Sequence, residues 1–213
     1  MPYLIAIVVA LLLPAAASAN LQADYQFNGS LNSEVGGAPK LKAIGDTDFA
    51  GGGGNGILTW KRGTCLRLNN AEKVIRSKSS YTIAMTVRLN DVDGYNKLAD
   101  LDNQTTENGL YVDDGAIYTY PLDYSGELIQ PNKFYELAMT RTPDGKVHGF
   151  IDGLRRAQGS DAADKDLVLG DDKILHFLCD DEVTSSEETG GRISRLRIFD
   201  DALSDGAVKH LGP

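Results

Sequence analysis

Tyr81, Ile83, Met85, Val87 and Leu89 alternate with Thr82, Ala84, Thr86 and Arg88, an apolar pattern of period two. Successive side chains of a strand point to opposite faces, so this run predicts a half-buried β-strand rather than a helix of period 3.6. The signal recurs along the chain. Phe134 to Arg141 predicts a second strand, and Lys146 to Ile151 its return across the turn Thr142-Pro143-Asp144-Gly145. Leu154 to Ala157 continues beyond Asp152-Gly153, and Asn108 to Val112 pairs with Ala116 to Tyr120 across Asp113-Asp114-Gly115. Gly suits these turns because it takes positive φ without a Cβ clash. Short strands joined by Gly and Asp turns predict a sandwich or barrel. Residues 190–213 predict one basic-apolar strand from Arg192 to Phe199, an Asp-rich turn, and a Ser-started helical turn from Ser204 to Leu211. Gly51 to Gly56, GGGGNG, reads as a loop between strands and not as a domain linker. No segment reads as a long amphipathic helix, and there is no internal repeat.

The apolar run Leu4 to Leu13 is followed by Pro14 and then by small residues ending Ala17-Ser18-Ala19. This predicts a secretory signal peptide over residues 1–19, since a membrane span needs about 20 apolar residues. No Lys or Arg precedes the run, and a buried N-terminal strand or an uncleaved anchor is the alternative. Residues 20–213 are then expected to form one secreted all-β domain, extracellular or, in a bacterium, periplasmic or on the cell surface. The net charge of −9 argues against nucleic acid and anionic membrane surfaces as partners. Cys65 and Cys179 are the two cysteines, too few for a zinc site. In a secreted chain they predict one disulfide; two separate buried thiols are the alternative.

Several blocks taken in order resemble the laminin-G-like, concanavalin-A-like lectin/glucanase family. They are Ala23 to Gly29 (ADYQFNG), Tyr81 to Met85 (YTIAM), Lys97 to Asp102 (KLADLD), Asn108 to Val112 (NGLYV), Val147 to Gly153 (VHGFIDG), Leu175 to Asp181 (LHFLCDD) and the tail. The resemblance implies a two-sheet antiparallel jelly-roll sandwich closed by a short helical turn. It also implies recognition of sugars or proteins more often than catalysis, although a fold does not by itself give a function.

Hydrolases of that superfamily carry three acidic residues at alternating positions of one strand, and this chain has no such triplet. The nearest pair, Asp100 and Asp102, would stand about 7 Å apart if both lay on a strand. A strand end running into the polar turn Asn103-Gln104-Thr105 is the favoured reading, and no catalytic residue is assigned. Tyr118 and Tyr120 share a strand face, with Tyr124 close by; one wall of the core is the favoured reading, and a stacking platform for a sugar ring is the alternative. Asp180, Asp181, Glu187 and Glu188 are the candidate ligands of a calcium ion at the sandwich rim, because oxygen-only donors select calcium over zinc or copper. A solvated loop is the favoured reading, because the spacing matches no defined calcium loop. Asn28 and Asn103 begin glycosylation sequons. His148, His176 and His210 show no metal-ligand spacing. The expected function is a secreted, non-catalytic module binding carbohydrate or an extracellular protein. A structural or adhesive surface protein and a divergent glycan hydrolase are the alternatives. Nothing in the pattern specifies an oligomeric state.

Overall fold

The computed structural model describes residues 19–51 and 56–212. The expected signal peptide falls almost wholly outside the described residues, as does most of the 51–56 loop. The strands are β1 (Leu21–Tyr25), β2 (Lys42–Ile44), β3 (Thr47–Ala50), β4 (Ile57–Trp60), β5 (Cys65–Asn69), β6 (Tyr81–Leu89), β7 (Tyr95–Asp100) and β8 (Gly109–Asp113). They continue as β9 (Ala116–Tyr120), β10 (Asp123–Leu128), β11 (Tyr135–Arg141), β12 (Lys146–Ile151), β13 (Leu154–Ser160), β14 (Ile174–Phe177) and β15 (Gly191–Phe199). One short helix, α1 (Asp205–Lys209), follows.

Two antiparallel sheets form the sandwich expected from the sequence. The first runs β13-β12-β11-β6-β15-β4-β3, with β1 also paired to β15; the second runs β10-β9-β8-β7-β14-β5-β2. The core lies between them. Tyr81, Ile83, Met85, Val87 and Leu89 of β6 meet Leu98 of β7, Leu110 and Val112 of β8, and Leu175 and Phe177 of β14. The turns form as the Gly positions require: Asp114 and Gly115, then Asp152 and Gly153, take positive φ between their strands.

One expectation needs correction. β6 is not half-buried, since Thr82, Ala84 and Thr86 on its other face are buried too. The cause is the tail. After β15 the chain turns back over the outer face of the first sheet, and Ala84, Ala138, Phe150 and Val208 form a second small core beside Leu203 and Leu211. Ser204 caps α1 by accepting a hydrogen bond from Ala207 N at 3.3 Å. Arg197 clamps the tail, donating to the carbonyls of Leu211 and Gly212 while pairing with Glu136 at 2.6 Å.

Cys65 and Cys179 are joined, with sulfurs 2.01 Å apart and Cα atoms 4.7 Å apart. β14 pairs with β5 so that Phe177 faces Leu66, and two further residues bring Cys179 to the start of β5. The bridge ties the loop after β14 to the second sheet. Among the described residues no helix is long and apolar enough to cross a membrane.

Candidate functional site

The outer face of the second sheet carries an unusual run of tyrosines. Ile117 of β9 points into the core, so its neighbours Tyr118 and Tyr120 point outward and stay half-buried. The reading of this face as core is therefore corrected: the core takes Ile117, and the tyrosines stand on the solvent side. Antiparallel pairing extends the row, with Tyr124 opposite Tyr118, Tyr118 opposite Tyr111, and Tyr111 opposite Lys97. Tyr118 and Tyr124 stack with centroids 3.6 Å apart, and Tyr118 meets Tyr120 edge to face at 5.1 Å. Tyr111 lies 6.0 Å from Tyr95 and 5.9 Å from Tyr120. The hydroxyls of Tyr95 and Tyr124 share a hydrogen bond of 3.0 Å, and Tyr124 also donates to Asp113 at 2.9 Å. Tyr95 and Tyr124 are 40% and 41% exposed, so the rings are reachable from solvent.

Beside these rings a buried charge cluster sits under the loops 101–108 and 178–190. A bulge in β7 between Lys97 and Ala99 creates it. In a regular strand positions i and i+3 face opposite ways, whereas the extra residue puts Lys97 and Asp100 on one face while Leu98 and Ala99 both enter the core. The β8 backbone presses against this bulge at Gly109, where a Cβ would come within 2.2 Å of the Ala99 carbonyl oxygen. Lys97 Nζ meets Asp100 at 2.8 Å and Asp181 at 2.7 Å, and donates to the Thr106 carbonyl at 2.7 Å. It also lies 5.3 Å from the centroid of the Tyr111 ring.

The carboxylates here differ in how fully they are used. Asp181 Oδ2 accepts from Lys97 and from the Tyr111 hydroxyl, and Oδ1 accepts from the backbone N–H groups of Val183 and Thr184. Burial pushes its carboxyl up, but these bonds outweigh burial and hold it below the usual range. Glu107 accepts from the Thr184 hydroxyl. Glu187 is 8% exposed, and its Oε2 is buried with no partner. The Tyr111 hydroxyl donates to Asp181 at 3.1 Å; it also favours the ionised form of Glu187, but by less than burial opposes it. Burial, then the charges of Glu107 and Asp181, push the Glu187 carboxyl up to about 7. Glu107, Asp181 and Glu187 bring ligand atoms within 4.8 Å of one another, a grouping able to hold a metal ion. Glu107 and Glu187 also line a cleft of about 260 Å³ whose other walls are Tyr95, Tyr111, Tyr120 and Thr184.

The residues singled out from the sequence divide on this frame. Asp181 and Glu187 converge, and Tyr120 joins Glu187 in the cleft wall. Tyr118 and Tyr124 continue the aromatic surface beyond it. Asp180 turns into its own loop, accepting from the N–H groups of Asp181, Ser186 and Glu187. Glu188 reaches away to Gly63 N at 2.9 Å. β7 ends at Asp100, so Asp102 is off the strand; Asp100 Oδ1 accepts from Asp102 N and Gln104 N, the polar turn favoured from the sequence. Lys97, Tyr95, Glu107 and Tyr111 were missed. The two-residue Asp114-Gly115 turn did carry a signal for Tyr111, because it sets Tyr111 opposite Tyr118. A larger cleft of about 360 Å³ lies on the first sheet beside Glu136 and Lys209, but Glu136 there is already paired with Arg197.

A family model described as the Concanavalin A-like lectin/glucanases superfamily matches residues 62–209. No curated protein matches the chain. Among solved structures it resembles domain 4 of AbnA, a GH43 extracellular arabinanase from Geobacillus stearothermophilus, in complex with arabinotriose. The TM-score is 0.69 at 18% identity, over 92% of this chain and 99% of that one. It also resembles the binding domain of botulinum neurotoxin DC in complex with rat synaptotagmin II, with TM-score 0.65 at 12% identity, over 90% of this chain and 51% of that one. The receptor binding domain of the botulinum neurotoxin C/D mosaic serotype gives 0.64 at 15% identity, over 89% and 50%. The chain therefore spans about half the length of these toxin domains and nearly all of the arabinanase domain. At these identities the likeness is one of fold.

Proposed function

The chain belongs to the concanavalin A-like lectin/glucanase superfamily, and from that premise we propose that residues 20–213 act as a secreted, non-catalytic module binding a carbohydrate chain on the outer face of the second sheet. The observation that carries this is the continuous tyrosine surface of Tyr124, Tyr118 and Tyr120 leading into the cleft beside Tyr95 and Tyr111. Aromatic faces pack well on the C–H groups of sugar rings, and polar groups at the cleft end give orientation. The arabinotriose complex of the arabinanase domain is in keeping with this reading.

The absence of catalysis is part of the proposal. Asp100 is committed to Lys97, and Asp102 lies in a turn. The cleft carboxylates crowd within 4.8 Å on one side. Glycosidase pairs flank the scissile bond at about 5–9.5 Å. Calcium at Glu107, Asp181 and Glu187 is a rival reading, since a hard cation there would need further oxygens to reach the six to eight it takes. Calorimetry with calcium chloride tests that point.

A glycan array, with Tyr118→Ala and Tyr120→Ala as controls, tests the main reading. Binding that both variants weaken is the expected result. Binding of a protein ligand and of no glycan would favour the protein partner of the toxin likeness. No ligand of either kind would favour the structural or adhesive alternative. Release of sugar from a polysaccharide, lost in Glu187→Gln, would establish a hydrolase. Secretion is read by N-terminal sequencing of the exported chain, which should begin at Asn20.

A further inference from the structure

We infer that the tyrosine-walled cleft receives an ammonium group, and that the glycan it takes is one bearing free amines. This rests on the carbohydrate reading above and narrows it to a class of sugar. The first ground is the state of Glu187. Its Oε2 is buried and unpartnered, the residue is 8% exposed, and it lines the cleft. A buried acceptor without a donor is costly, so folding leaves a vacant bond that a ligand donor would fill.

The second ground is the charge count. Lys97 is fully committed to Asp100, Asp181 and the Thr106 carbonyl, while Glu107 and Glu187 bring ligand atoms within 4.8 Å of Asp181 and, among the described residues, have no cation of their own in the cluster. The cluster is short of positive charge on the cleft side. An acidic sugar would add repulsion there, whereas an ammonium would relieve it.

The third ground is the number of acceptors left. Asp181 already takes four donors on its two oxygens. Glu107 has one oxygen engaged by Thr184, and Glu187 keeps Oε2 free. A calcium ion wants six to eight oxygens, and an ammonium wants three acceptors or an aromatic face in place of one. Tyr95, Tyr111 and Tyr120 supply such faces around the same cleft. A lysine side chain carries the same ammonium. The glycan is favoured because the ring surface continues past the cleft through Tyr118 and Tyr124, which gives neighbouring sugar rings a platform.

Titration calorimetry at pH 7 decides this, using a tetramer of glucosamine, its fully N-acetylated counterpart, neutral arabinotriose, a short lysine peptide and calcium chloride. The free-amine tetramer should bind about tenfold tighter than the acetylated one, a ratio within reach of one desolvated cation–aromatic contact with a carboxylate. Glu187→Gln should erase that ratio, and Glu107→Gln should reduce it if the first variant folds poorly. Tyr118→Ala should weaken both tetramers alike. Equal binding of both tetramers, unchanged in Glu187→Gln, overturns the inference and leaves the carbohydrate reading standing. Binding of the lysine peptide with no sugar overturns the glycan class. Tight calcium binding that Glu187→Gln abolishes, with no preference for amines, overturns it in favour of the metal.

Discussion

At one end of the first sheet, Arg141 is fully buried and every side of it is engaged. It donates twice to Asp161 Oδ2, at 3.2 and 2.9 Å, and to the Asp161 carbonyl, with Asp164 and the carbonyls of Ser79 and Thr142 completing the set. Asp161 in turn accepts from the N–H groups of Lys165, Asp166 and Leu167. Burial pushes the Asp161 carboxyl up, but these backbone bonds and the guanidinium hold it below the usual range. Under the loops of the second sheet Glu187 is buried to a similar degree and has an oxygen with nothing to bond, and its carboxyl is raised to about 7. Both are buried charges in one sandwich. The first closes on itself and fastens the 161–167 loop to β11. The second leaves an oxygen unbonded in the wall of a cleft. Buried polar groups are ordinarily satisfied, so an open one beside solvent-reachable aromatic rings marks a place held ready for something else.

Removing one partner of the closed cluster should have the largest effect. Arg141→Ala leaves Asp161 buried without its guanidinium partner and should cost about 3–5 kcal/mol in urea denaturation. A loss below about 1 kcal/mol would erase the distinction between the clusters. The disulfide comes next, because it pins the loop that carries Asp181 and Glu187. Its bridge spans a separation of 114 residues. Cys65→Ser with Cys179→Ser should cost about 2–4 kcal/mol. The same change should loosen amide-exchange protection in 178–190 more than in 161–167.

The open cluster should respond with the opposite sign. A carboxyl raised in the folded state stays protonated after its unfolded counterpart has ionised. Stability therefore falls as pH rises from the ordinary glutamate range toward 7, then levels off. Glu187→Gln removes that loss. It should stabilise by about 1 kcal/mol at pH 8, a rise of about 2–4 °C in Tm, and change little at pH 4. Asp161 runs the other way: its stabilisation is present above the ordinary carboxylate pKa and fades as pH falls through its lowered one. An equal pH response in Glu187→Gln and the parent would show that the cluster is closed after all. The smallest stability effect belongs to Tyr118→Ala. The ring is half-buried on the outer face and should cost under about 1 kcal/mol in thermal melts, with the loss falling on ligand binding instead.

Much of the frame could be read directly from the residues. The alternation of Tyr81 to Leu89, the Asp-Gly turns and the ladder Ala116 to Tyr120 all set local geometry, and local geometry is what short patterns encode. Burial of the second face of β6 could not be read, because it depends on a tail more than a hundred residues away. The site was half legible for the same reason. Asp181 and Glu187 stand in one acidic loop, but Glu107 reaches them only because β7 and β14 pair. Lys97 and Asp100 share a face only because of a bulge, and nothing in the alternation of β7 announces it.

β1 lies antiparallel against β15 with Leu21 opposite Phe199, so both run out of the sandwich at the same end. Tension applied to the two ends of the chain would therefore peel this pair open like a zipper, loading one hydrogen bond at a time instead of shearing all of them together. The sulfur link from Cys65 to Cys179 would stop that unravelling from running through the molecule. In a force-extension trace the oxidised chain should open at low force yet lengthen less than the reduced one, by about 3.4 Å for each residue the link withholds. Peeling from β15 enters the loop bearing Glu187 at its Gly190 end and reaches that link last, so Glu187 would feel the pull before the cleft tyrosines enclosed by the bridge.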